Sequence, residues 1–153
     1  MSGIAQEIAA PTIPGPIAET REPKLGLPPG SCDCHAHIFG PQSRYRYAPK
    51  RRYTPPDATL DNYIRMLKTI GVERAVLVQA SVYMTDNSAI LDALAKKRFA
   101  LRAVVAVNDS VTDAELARMN ALVDSRRAGA QKGSGGQSGT PVPILISTKG
   151  VST

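Results

Sequence analysis

Apolar positions along this chain follow two rhythms that take turns. Residues 31–39, SCDCHAHIF, alternate with the two-residue period of a strand and stop at Gly40 and Pro41. Alternation puts Asp33, His35 and His37 on one side and Cys32, Cys34, Ala36 and Ile38 on the other. Leu60, Tyr63, Ile64, Leu67 and Ile70 then recur at helical spacing, between Thr59 as an N-cap and Gly71 as a C′ residue. The run AVLVQA at 75–80 is almost continuously apolar, as burial on both faces of a parallel sheet requires. Asn87 can cap a second helix whose inner stripe is Ile90, Leu91 and Leu94, ending around Arg98. LRAVVAV at 101–107 reads as a third buried strand. Thr112 with Glu115 three positions on has the form of a capping box, followed by a stripe of Leu116, Met119, Leu122 and Val123. Three strand and helix units in this order predict an α/β chain with parallel strands and right-handed crossovers.

The flanks lack such a rhythm. Residues 1–30 hold six of the twelve prolines, and because proline removes backbone donors and fixes φ they read as a flexible leader. The segment QSRYRYAPKRRYTPPD at 42–57 reads as a long loop. After Val123, residues 124–153 contain six of the twelve glycines and no aromatic residue. KGSGGQSG at 132–139 offers little burial to offset its ordering entropy, so an aberrant or disordered tail is expected. Within it, PILIS at 143–147 could pair as an edge strand. The abrupt loss of pattern predicts a frameshift or aberrant gene end near residue 123. Alternative reading frames that encode no fourth strand, later histidines or late aspartate would reject it.

With 153 residues the chain has room for one domain able to fold without disulfides, and it is too short for an eight-unit barrel of about 250 residues. The formal net charge is +6, and half of that excess sits in the last thirty residues. A basic balance permits nucleic-acid or acidic-surface association but identifies neither. Cys32 and Cys34 are the only cysteines, and their spacing in an extended strand lies at the far edge of disulfide geometry. Reduced thiols in a cytoplasmic setting follow. The N-terminus lacks a basic start before an apolar core, and no stretch approaches 18 apolar residues, so neither secretion nor membrane contact is expected.

The chemistry is concentrated on the first strand. His35 and His37 are the only histidines and lie at its C-terminal end, where β/α architectures build their sites. Two imidazoles at i and i+2 can bind one divalent cation such as zinc, or polarise one substrate oxygen, with Asp33 available to orient a ring. A buried hydrogen-bonded pair, or a chance pair at a strand end, is the plainer alternative. In the loop that follows, Arg44, Arg46, Lys50, Arg51 and Arg52 are interleaved with Tyr45, Tyr47 and Tyr53. That composition suits carboxylate recognition, or simply a solvated basic loop. With no reading helix or RNA-binding module beside it, nucleic acid is not an expected partner.

CDCHAHIFGP, followed by YRYAPKRRYTPPDATLDNYIRMLKTIGVERAVLVQASVY and LRAVVAVND, resembles the start of the amidohydrolase-related (amidohydrolase 2) proteins, in the branch near 2-pyrone-4,6-dicarboxylate lactonase. The resemblance covers about residues 31–122 and implies the N-terminal part of a (β/α)8 TIM barrel. It further implies catalytic roles for His35 and His37, which are also metal ligands in most of the superfamily. In this branch the pair is thought to surround the substrate without a required metal. By the same resemblance Tyr53 and Ser81 match substrate-carboxylate contacts. The later positions that complete a water-activating site in such proteins have no counterpart here. The implied activity is hydrolysis of a lactone or cyclic dicarboxylate, impaired in this chain. A noncatalytic anion-binding or interaction fragment is the alternative, and the oligomeric state is open.

Overall fold

The computed structural model describes residues 10–124 and 145–148. The elements run β1 (Cys32–Ala36), α1 (Leu60–Ile70), β2 (Arg74–Val78), a 3₁₀ turn (Ser81–Tyr83), α2 (Ser88–Ala95), β3 (Ala100–Val107), α3 (Asp113–Asp124) and β4 (Leu145–Thr148). The strands lie in the order β1-β2-β3-β4, and every pairing is parallel. β4 overlaps the PILIS run at residues 145–147 and adds Thr148, and it extends the sheet along β3. Residues 1–9 of the leader, and most of the glycine-rich segment after Asp124, lie outside the described residues.

Burial alternates strictly along β2 and β3. Ala75, Leu77, Leu101, Ala103, Val105 and Val107 are buried in one core with Leu60, Ile64 and Leu67 of α1 and Ile90, Ala93 and Leu94 of α2. The intervening Val76, Val78, Arg102, Val104 and Ala106 are only partly covered. These strands are thus apolar on both faces, but the helices cover one face alone.

Gly71 closes α1 with φ +79°, a left-handed conformation in which any side chain would be strained. The amide of Val72 reaches back to the Leu67 carbonyl at 2.9 Å and completes the stop. The predicted capping box at α3 is reciprocal: the Thr112 amide donates to Glu115 Oε2 at 2.9 Å, and the Glu115 amide donates to Thr112 Oγ1 at 3.2 Å. Thr59 and Asn87 do precede their helices, but neither side chain caps. The Thr59 hydroxyl donates to Asn62 Oδ1 instead, and Asn87 turns toward β3. α2 stops at Ala95, three residues short of the expected end.

Two connecting segments are more structured than their composition suggests. Part of the N-terminal arm pairs with Thr54: its amide donates to the Pro11 carbonyl at 2.7 Å and its carbonyl accepts from the Ile13 amide at 3.2 Å. The loop after β1 turns its tyrosines inward. Tyr45 and Tyr47 are buried with Ala80, Val82, Tyr83 and Ala89 in a second small core.

Candidate functional site

Parallel pairing brings the C-terminal ends of β1, β2 and β3 to one edge of the sheet, which carries both histidines and Ser81. β1 does not pair evenly. Asp33 opposes Ala75 and Ala36 opposes Leu77, so three steps on β1 match two on β2. An extra residue in one strand breaks the alternation of sides. This corrects the assignment of Asp33, His35 and His37 to one side: Asp33 turns to α1, while both imidazoles stay exposed. Ala36 and Ile38 pack with the core, whereas Cys32 and Cys34 remain exposed free thiols. Slight burial and the neighbouring Cys34 thiol push the Cys32 thiol up, against an opposing pull from the Arg74 cation that outweighs the Asp33 charge.

Asp33 makes no hydrogen bond to an imidazole nitrogen. Its Oδ2 accepts the Tyr63 hydroxyl at 2.8 Å and its Oδ1 accepts the backbone amide of His35 at 3.1 Å. Burial, then the bond to Asp33, pushes the Tyr63 phenol far above its usual value, so it remains a donor.

The imidazoles of His35 and His37 meet edge to face with centroids 5.1 Å apart. His37 Nδ1 lies 2.8 Å from the Val78 carbonyl oxygen. A carbonyl can only accept, so Nδ1 carries the proton and Nε2 presents a lone pair or, in the cation, a second proton. That is the tautomer required of a ring that must accept from, or ligate, something at the strand end. Among the described residues no group of three or more His, Cys, Asp or Glu side chains could hold a metal ion. Catalytic zinc takes three protein ligands, so the two imidazoles do not by themselves fit one.

Tyr53 is half-buried and packs on the second core beside Phe39, whose ring lies 6.2 Å from that of His37. Ser81 is exposed at the start of the 3₁₀ turn, just beyond β2. Of the five basic residues in the loop, Arg44 pairs with Asp92 at 2.6 Å and Arg51 binds Thr54 Oγ1 and the Ala48 carbonyl. Arg46, Lys50 and Arg52 are exposed and make no ion pair among the described residues. The tyrosines do not all serve a ligand. Tyr45 donates to Asp92 at 2.8 Å, and burial with that neighbour pushes its phenol up to about 12.

The supporting roles of Tyr83, Asp57 and Asn87 went unseen in the sequence. Gly40 has φ +77°, and a Cβ there would come within 2.0 Å of Asp57 Oδ1. The Tyr83 hydroxyl accepts the Gly40 amide at 2.8 Å, and Asp57 Oδ1 accepts the Gln42 amide at 3.0 Å, so Tyr83 and Asp57 clamp the turn after the histidines. Asn87, a buried polar residue, donates to the Ala106 carbonyl at 2.7 Å and accepts the Ala106 amide at 3.0 Å. It joins the loop after β2 to the end of β3. An amide between two apolar segments was the available signal, but helix capping explained it equally well.

A family model described as amidohydrolase matches residues 32–141. The chain is 36% identical over 119 residues to a 4-sulfomuconolactone hydrolase of Hydrogenophaga intermedia, covering 78% of this chain and 39% of that protein. It is 37% identical over 103 residues to a 2-pyrone-4,6-dicarboxylate hydrolase of Comamonas testosteroni, covering 67% and 34%. Among solved structures, a probable 2-pyrone-4,6-dicarboxylic acid hydrolase of Acinetobacter baumannii with citric acid bound superposes with TM-score 0.56 at 31% identity, over 61% of this chain and 34% of that one. The chain therefore spans between a third and two fifths of the length of the relatives it matches. The matched segment carries the histidine strand and the parallel units after it, and by that match the chain belongs to the amidohydrolase family.

Proposed function

We propose that this chain carries the part of a lactone-hydrolase site that receives an anionic lactone or cyclic dicarboxylate, and that it does not by itself organise efficient hydrolysis. The observation that carries the reading is the His37 ring, fixed through Nδ1 to the Val78 carbonyl, with its Nε2 free beside the exposed His35 ring. In this reading His35 and His37 polarise the substrate carbonyl. Tyr53 and Ser81 contact its carboxylate, and Arg46, Lys50 and Arg52 supply a positive approach. The relatives named above support the substrate class, since one acts on a sulfonated and another on a carboxylated lactone.

Lactone hydrolysis also needs a placed water, a base and donors for the developing oxyanion, held on opposing sides of the substrate. The described residues supply polarising imidazoles on one side only. Two assays test the proposal: dicarboxylate binding followed by NMR, and turnover of 2-pyrone-4,6-dicarboxylate with and without a chelator. The expected result is binding that weakens in His35→Ala and His37→Ala, with turnover near the buffer rate. Substantial turnover abolished by both substitutions would overturn the inactive reading, and its loss on chelation would restore a metal-dependent mechanism. Absence of binding would overturn the site itself.

A further inference from the structure

We propose that Asp33 and Tyr63 are positioning residues that hold the irregular turn of β1, and so set the mutual orientation of His35 and His37; this rests on the reading of those histidines as the substrate-facing pair. An evenly paired β1 would send Asp33, His35 and His37 to the same side. The observed register separates them, because one extra residue is accommodated between Asp33 and Ala36. An unpaired residue in a ladder needs a local substitute for its lost hydrogen bond. Asp33 supplies that substitute: Oδ1 accepts the His35 amide two residues on, at 3.1 Å.

A carboxylate that only bonded its own next-but-one amide would be free to rotate about its side-chain torsions. Its second oxygen is held by the Tyr63 hydroxyl at 2.8 Å. Tyr63 stands on α1, and its ring packs against the core formed by that helix and the sheet. The position of α1 is thereby transmitted to the backbone of His35 through two hydrogen bonds. His37 is fixed independently by the Val78 carbonyl. The edge-to-face contact of the two rings follows from the His35 backbone being held through Asp33 and Tyr63 and the His37 ring through β2.

The chain has only two histidines, so both imidazoles can be observed without interference in the full-length protein. The test is NMR of the intact chain, reading the nuclear Overhauser contact between the two rings and the ¹⁵N shifts that report the Nδ1-protonated tautomer of His37. Asp33→Ala is expected to abolish the ring contact while the tautomer of His37 persists. Asp33→Asn, which retains an oxygen for the His35 amide, is expected to restore the contact. Tyr63→Phe, which removes a single oxygen from a half-buried site, is expected to weaken the contact and serves as the deciding variant should Asp33→Ala fail to fold. A ring contact unchanged in a folded Asp33→Ala protein, or in Tyr63→Phe, overturns the proposal. A mere packing role for Tyr63 would leave the contact intact in Tyr63→Phe, because the ring is retained. These readouts need neither ligand binding nor turnover, so a chain that binds no dicarboxylate would count against the proposed function and leave this assignment standing or falling separately.

Discussion

Asn87 shows how much can hang on one side chain. Its amide group takes the place of a neighbouring strand for Ala106, satisfying both the donor and the acceptor of that residue. Asn87→Ala would leave both groups partly buried without partners, and a buried unpaired group costs about 1 to 3 kcal/mol. The expected destabilisation is about 2 kcal/mol, since some solvent reaches the site. It would be seen as a lower urea midpoint at unchanged slope. A midpoint equal to that of the unsubstituted chain would show that Ala106 is satisfied without the Asn87 amide. Asp33 and Tyr83 teach the same lesson beside the site. Each is a polar group whose partners lie 30 to 43 residues away in Tyr63 and Gly40, distances along the chain that no local pattern reports.

At the scale of elements, helix ends that depend on neighbours in the sequence were legible and those that depend on the fold were not. Gly71 and the Thr112 to Glu115 box behave as their spacing predicts. Thr59 and Asn87 were equally plausible caps, but their side chains found other partners. The capping box has a pH signature. Hydrogen bonds from Thr112 hold the Glu115 carboxyl below its usual 4.5. A carboxylate whose folded value is depressed contributes stability above its unfolded value, and that contribution is lost as pH falls through the folded value. Helical circular dichroism should therefore decline on acidification below about pH 4.5. Glu115→Ala should lower the signal at neutral pH and remove the part of the acid transition that belongs to α3. A Glu115→Ala titration that superposes on the parent curve would exclude the box as its source.

Across the whole molecule, helices cover one face of the sheet and its first loop folds into a second core. The tyrosines report on that architecture. Burial is the main cause that raises the phenols of Tyr45, Tyr47, Tyr63 and Tyr83 above 10. The unfolded chain ionises these groups near pH 10, while the folded chain keeps them neutral. Their contribution to stability is accordingly complete below about pH 10 and is lost as pH rises through the folded values. Tyrosinate absorbance of these four should appear together with loss of secondary structure in an alkaline titration. Full ionisation near pH 10 with the fold intact would contradict the buried placement of Tyr45 and Tyr47. No described helix is long and apolar enough to cross a membrane.

The order of strands and helices, their parallel construction and the placement of the histidine pair at a strand end were all determined by the sequence alone. Period two, period 3.6 and runs of continuous apolar residues depend on the local geometry of backbone and side chain, and the residues that carry them are near neighbours. The tertiary structure alone decided which way β1 turns its side chains. Strict alternation assigned Asp33 to the histidine side, but pairing with β2 inserted an extra residue and α1 offered Tyr63 as a partner. The same holds for the loop after β1, which reads as a basic segment either solvated or suited to carboxylates until Val82 and Tyr83 supply a surface on which to bury Tyr45 and Tyr47. Register and burial depend on what a distant part of the chain presents, and that information exists only once the chain has folded.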